Sequence, residues 1–348
     1  MLLPRQSDRI VTSVEELRVE MERPVVDVSL RLVGHFPLGS ETPWRSTLLP
    51  GIARDPATGR RRRITLWSSD DDNKATLDAE GMGRIFRVAG GELLLQGLHI
   101  TGGRTEAEGG GCVFLQVGKV TVRSSRFTNC TTGAQSGGAL QSFDTSSMNI
   151  ADSEFSDCSV IHSSEEGFAA GGAINVAAGS EAIINRTTFT RTQALSHHNV
   201  AYGGAIAVFR TGEVVLDDVQ LRNTRAESRG RAGAGLAWGG GLGMRGQGGS
   251  GRAQVYRSKW TATRALSLHD DAWGGGIGLQ GTETANVFDT RFSDCEARGH
   301  RDPTRAGSLG GVGGSVGAGV GGHVKERHTP SVQIPVHAVH RAPLNSLH

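Results

Sequence analysis

Gly171-Gly172-Ala173-Ile174, with Phe189 eighteen residues after the first glycine, is one copy of a pattern that recurs six times. The other copies are Gly110-Gly111-Cys112-Val113 with Phe127, Gly137-Gly138-Ala139-Leu140 with Phe155, and Gly203-Gly204-Ala205-Ile206 with Leu221. They continue as Gly239-Gly240-Gly241-Leu242 with Trp260 and Gly274-Gly275-Gly276-Ile277 with Phe292. The inner offset is 17, 18, 18, 18, 21 and 18, whereas the distance between copies runs 27, 34, 32, 36 and 35. A nearly constant inner spacing with a variable outer one describes a rigid unit plus one elastic loop per repeat.

Reading backwards from the large residue exposes further columns. Five before it lie Val122, Ile150, Ile184, Leu216, Val255 and Val287; three after it lie Cys130, Cys158, Thr192, Thr224, Thr263 and Cys295. Like residues at like positions are what parallel, in-register stacking about 4.8 Å apart demands. The segments between are β-branched with period two, as in Lys119-Val120-Thr121-Val122, and the repeats lack helical periodicity. The expectation is therefore an all-β chain, a right-handed parallel β-helix solenoid with one coil per repeat. The glycine pair belongs where the backbone turns with positive φ or where coils approach too closely for a Cβ.

The chain divides into an N-terminal segment, 1–24, a β-helix over 25–309 and a glycine-rich tail over 310–348, expected to be disordered. Ser13-Val14-Glu15-Glu16 is a capping box, and Leu17, Val19 and Met21 after it predict a short helix covering the first coil. The column three before the large residue reads Ser124, Asp152, Arg186, Asp218, Arg257, Asp289, an alternation of sign that would fix register between coils. Cys130 and Cys158 share a column and are expected as buried stacked thiols, with no evident mate for Cys112 or Cys295. Arg60 to Arg63 and Asp70 to Asp72 are opposite runs in one early loop, expected to pair or stay solvated.

Composition bounds the function. Glycine is 51 of 348 residues, aromatics are 5%, and the formal net charge is +2, too small to call for nucleic acid. No run of signal-peptide or membrane-spanning length is present. Extracellular or surface placement is expected from the fold alone.

Tyr202, Trp238 and Trp273 each precede a glycine pair, and as an outward strip they would stack on sugar rings; as inward residues they would pack the loop base. The histidines of the loops, His162, His197, His198, His269 and His300, show no metal-ligand spacing, and no metal or cofactor is expected. Asn129-Cys130-Thr131 and Asn185-Arg186-Thr187 match the N-glycosylation pattern.

The Gly-Gly-Ala-Ile/Leu motif with its downstream Phe resembles the repeats of polymorphic outer-membrane proteins of chlamydial autotransporters. Thr76 to Gly103 resembles the opening coils of the wider pectate-lyase-like β-helix superfamily. This chain carries Cys or Thr three after the Phe where the chlamydial repeats carry Asn, and it lacks a run of alternating barrel strands. The superfamily includes lyases and hydrolases, and Asp217-Asp218 with Arg257-Ser258-Lys259 is similar to the paired aspartates and Arg-x-Lys of polygalacturonases. That resemblance implies Asp217, Asp218 and Lys259 as catalytic groups in an enzymatic alternative. The primary expectation is a non-enzymatic scaffold presenting a loop edge or a sheet face to a glycan or a protein; a third reading is a fragment of a larger extracellular or membrane-anchored repeat protein.

Overall fold

The structure is a computed structural model that describes residues 9–39, 47–55, 58–69, 74–106, 108–231, 234–246, 251–281, 283–299, 316–318 and 323–327. It is a parallel β-helix: short strands stack coil on coil into five parallel sheets whose strand order follows the chain. In coil order, sheet 1 has eleven strands (such as Lys119–Arg123), sheet 2 has nine (Arg126–Thr128) and sheet 3 has seven (Ser159–His162). Sheet 4 has four strands (Val200–Tyr202) and sheet 5 has nine (Ile206–Phe209).

The register follows the columns of the sequence. Phe127 pairs with Phe155, Phe155 with Phe189, Phe189 with Leu221, Leu221 with Trp260 and Trp260 with Phe292. These side chains fill the coil interior, where Phe127, Phe155 and Phe189 stack with centroids 4.9 and 5.0 Å apart. Each such buried side chain contributes about 1.5–3 kcal/mol of hydrophobic transfer, so the column is a principal source of cohesion between coils.

The two glycines of the motif serve different needs. The first turns the corner into sheet 5 with φ of 58° at Gly203 and 63° at Gly171, and a Cβ on Gly203 would lie 1.9 Å from the Ile206 carbonyl oxygen. The second carries no positive φ; it lets coils touch, since a Cβ on Gly172 would lie 2.2 Å from the Gly204 oxygen of the next coil.

Two other corners also turn through the left-handed region, held by Gly97 and Gly102 in an early coil but by other residues in the six repeats. Between sheets 1 and 2 this residue is Ser124, Asp152, Arg186, Asp218, Arg257 or Asp289, with φ between 44° and 53° for the first four. Between sheets 2 and 3 it is Asn129, Asp157, Arg191, Asn223, Ala262 or Asp294. Left-handed geometry costs a side chain roughly 1–2 kcal/mol, least for Asp and Asn. At both corners the arginine is held by the aspartate one coil earlier: Arg186 donates to Asp152 at 2.6 and 2.9 Å, and Arg191 to Asp157 at 2.7 and 2.7 Å. Of the alternating column, Asp152 and Arg186 form an inter-coil pair, whereas Arg257 pairs with Asp217, the residue before Asp218.

Helix α1 (Val14–Glu22) forms as its capping box predicts: the Glu16 N–H donates to Ser13 Oγ at 3.2 Å. Leu17 and Met21 are buried in the main core, whereas Val19, expected on the same face, is 59% exposed. A strand, Arg9–Val11, precedes the helix and extends sheet 1. Arg62 donates to the carbonyls of Met21 and Arg23 at the helix end, and Arg63 pairs with Glu92. The basic run therefore serves the cap; Asp70 to Asp72 lie outside the described residues.

The cysteine reading is overturned for Cys112 and Cys130 and holds for Cys158. Cys112 and Cys130 form a disulfide, with Cα atoms 5.6 Å apart, and Cys158 is a free buried thiol. Cys112 faces inward right after its glycine corner, and Cys130 faces inward from the opposite wall of the same coil. The bridge crosses a coil where stacking down the column had been expected. The elastic loop is also more ordered than a loop: sheets 3 and 4 are built from it. Most of the tail lies outside the described residues; within it 316–318 pairs with Ile277–Leu279 and 323–327 with Thr284–Phe288.

Candidate functional site

The three aromatic residues before the glycine pairs do not make an exposed strip. Tyr202 is fully buried, Trp238 is 4% exposed, and Trp273 is partly buried against them. The chain between sheets 3 and 5 folds back over the outer face of sheet 5, and these rings fill the seam. Tyr202 meets Phe209 edge-on at 5.2 Å, and Trp238 stacks on Trp273 at 5.5 Å. Gly243 supplies the floor, where a Cβ would lie 2.3 Å from Gly203 N. The Tyr202 hydroxyl donates to Gln280 Oε1 at 2.5 Å, and burial raises its phenol well above the usual range. This cluster anchors the loop; only Trp273 reaches solvent.

The residues of the enzymatic alternative fall along the edge between sheets 1 and 2. Asp217 ends a strand of sheet 1, Asp218 occupies the left-handed corner, and Lys259 stands on the outer face of sheet 2 one coil on. Asp217 is half-buried and bound through Oδ2 to Arg257, while its Oδ1 is buried without a hydrogen-bond partner. Asp218 and Lys259 are exposed. An acid–base pair needs a carboxyl poised to give up or take a proton, and here one carboxylate is tied to a guanidinium.

The same edge carries aromatics that the columns of the sequence did not reveal. Tyr256 and Phe288 follow Asp217 in register on the outer face of sheet 1, stacked at 5.0 Å with 8° between planes and partly exposed. Their column, four before the large residue, reads Arg123, Ala151, Asn185, Asp217, Tyr256, Phe288, and its mixed chemistry gives no repeat signal. Beside them Lys259 pairs in register with Arg291 on sheet 2. Both are exposed, and neither has an ion-pair partner among the described residues. Like charges on adjacent strands repel, so this pair weakens the sheet unless an anion sits between them.

Towards the N-terminal coils the edge deepens into a shallow groove of about 430 Å³, lined by Lys74, Ser124, Arg126, Asp152, Glu154 and Arg186 among others. Its charges are largely matched: Arg126 bonds Glu154 at 3.0 Å and Arg186 bonds Asp152. The histidines do not gather into a site. His162 is buried with Nε2 2.7 Å from the Glu166 carbonyl oxygen, His197 and His198 share one loop, His269 stands on a loop two coils further on, and His300 lies outside the described residues. Among the described residues no three His, Cys, Asp or Glu side chains come together to hold a metal, and no helix is long and apolar enough to cross a membrane.

Fold and edge together define a class, a parallel β-helix solenoid with a charged, aromatic-bearing long edge. No family model, no curated protein and no solved structure matches the chain.

Proposed function

We propose that the protein is a non-enzymatic β-helix scaffold that binds a glycan bearing acidic groups along the edge between sheets 1 and 2. The observation that carries this reading is the Tyr256–Phe288 stack standing open on sheet 1 beside the unpaired cations Lys259 and Arg291. Stacked rings offer sugar C–H faces a flat apolar surface, and two neighbouring cations without acidic partners offer a carboxylate or sulfate its charge. Asp217, Asp218 and Arg257 supply hydrogen-bonding groups between them. The Cys112–Cys130 bridge fits an oxidising compartment outside the cytosol.

A lyase or hydrolase reading through Asp217, Asp218 and Lys259 is weakened by the Arg257–Asp217 pair, which occupies the carboxylate that would act. The test is a panel of acidic and neutral polysaccharides, with and without calcium, scored for retention and for released reducing or unsaturated ends. Retention of acidic members without products supports the scaffold; product release overturns it.

A further inference from the structure

The column that carries Tyr256 and Phe288 also carries an aromatic residue towards its far end, Trp67. Register along sheet 1 runs from Arg31 to Trp67, Gln96, Arg123, Ala151, Asn185, Asp217, Tyr256 and Phe288 without a break. Trp67 is partly exposed, like Tyr256. The Arg31 guanidinium lies 5.6 Å from the Trp67 ring centre, on the side away from Gln96, and is held by Ser69. Phe288 backs Tyr256 on the side away from Asp217. Each ring is thus covered on one side, by Arg31 or by Phe288, and meets its column neighbour, Gln96 or Asp217, on the other; both rings stand partly exposed on the outer face of the sheet.

Six strand spacings separate these rings, a span of roughly 29 Å at about 4.8 Å each. The intervening side chains are polar or small, and the shallow groove lies alongside the middle of the interval. Three of its lining residues, Ser124, Asp152 and Arg186, directly follow the column residues Arg123, Ala151 and Asn185. No other outward column of sheet 1 carries Phe, Tyr or Trp among the described residues.

We infer that Trp67 and Tyr256 are the two end subsites of one binding track, and that the ligand is an extended segment of an acidic glycan chain lying parallel to the solenoid axis. This rests on the glycan reading proposed above and adds to it: the site selects length and takes internal stretches of a polymer. A short oligosaccharide reaches only Tyr256 and Phe288. A longer one also meets Trp67, and stacking on a second aromatic residue raises affinity by about tenfold.

The experiment is equilibrium binding to size-fractionated alginate, hyaluronan and heparan-type oligosaccharides of increasing length, with wild type, Trp67→Ala and Trp67→Phe. Thermal unfolding of each variant verifies that the first coils remain folded. The expected result is a step in affinity once the oligomer spans the column, removed by Trp67→Ala, kept by Trp67→Phe, with short-oligomer binding unchanged. Equal affinity for all lengths, indifferent to Trp67→Ala, overturns the track and leaves the local site at Tyr256. Absence of binding at every length in all three series overturns both.

Discussion

The chain has two tyrosines, and the coil gives them opposite fates. Tyr202 stands just before a glycine pair, where the returning loop covers sheet 5, and it is fully buried. Tyr256 stands just before a left-handed corner, where the chain passes directly from sheet 1 to sheet 2 and nothing folds back; its ring stays open beside Phe288. In a solenoid, position within the coil decides whether an aromatic residue serves packing or recognition, because the same corner recurs with the same cover in successive coils.

The contrast can be broken at its foundation by forcing the coils apart at the glycine pair that follows the returning loop. Gly204→Val places a Cβ 2.2 Å from the Gly240 oxygen and 2.3 Å from Arg225 N, both backbone atoms that cannot yield. The expected outcome is loss of the cooperative fold, a cost above about 4 kcal/mol, read by far-UV circular dichroism. Next in size is the direct comparison of the tyrosines. Tyr202→Ala should cost about 3–5 kcal/mol in denaturant unfolding, and Tyr256→Ala about 1 kcal/mol or less; equal costs would erase the distinction.

The bridge sharpens the picture of the coil that precedes both. Reduction of Cys112–Cys130, or Cys112→Ala, should lower stability by about 3 kcal/mol for a loop of this size. Burial pushes the Cys158 thiol up to about 12, so iodoacetamide at neutral pH should leave it unmodified until the protein unfolds.

The smallest effects separate open corners from the covered seam by pH. Arg186 and Arg191 hold the Asp152 and Asp157 carboxyls below the usual range. Their pairs therefore add stability above the unfolded carboxylate value that fades as pH falls through the lowered folded values. Both pairs are exposed, so solvent screening keeps each contribution small. Glu283 is the reverse case: buried, with neither oxygen bonded to another described residue, and raised by desolvation. Its contribution is present below the ordinary glutamate value of 4.5 and is lost as pH rises through the raised folded one. Glu283→Gln should leave the unfolding midpoint unchanged near pH 4 and raise it at pH 7 and above.

The coil interior was legible because stacking repeats a residue's surroundings, so Val122, Ile150 and Ile184 or Phe127, Phe155 and Phe189 announce themselves as columns. The glycine pair was legible for the same reason, down to its two separate causes. Of the candidate site, Asp217, Asp218 and Lys259 stood out by resemblance, but Tyr256 and Phe288 did not, since an outward column has no packing to enforce one chemistry. Tyr202 and Trp238 stayed open between an outward strip and inward packing, because spacing fixes that residues align but not which face the chain covers. The Cys112–Cys130 bridge was missed because it joins opposite walls of one coil, a proximity across the cross-section that repeat spacing does not encode.

The most direct test of the account is retention of the Tyr256→Ala, Phe288→Ala double variant on immobilised acidic polysaccharide, beside wild type and with thermal unfolding of both. The account predicts that wild type is retained at low salt and released as salt rises, and that the double variant stays folded and passes through. Retention of a folded double variant equal to that of wild type would contradict it.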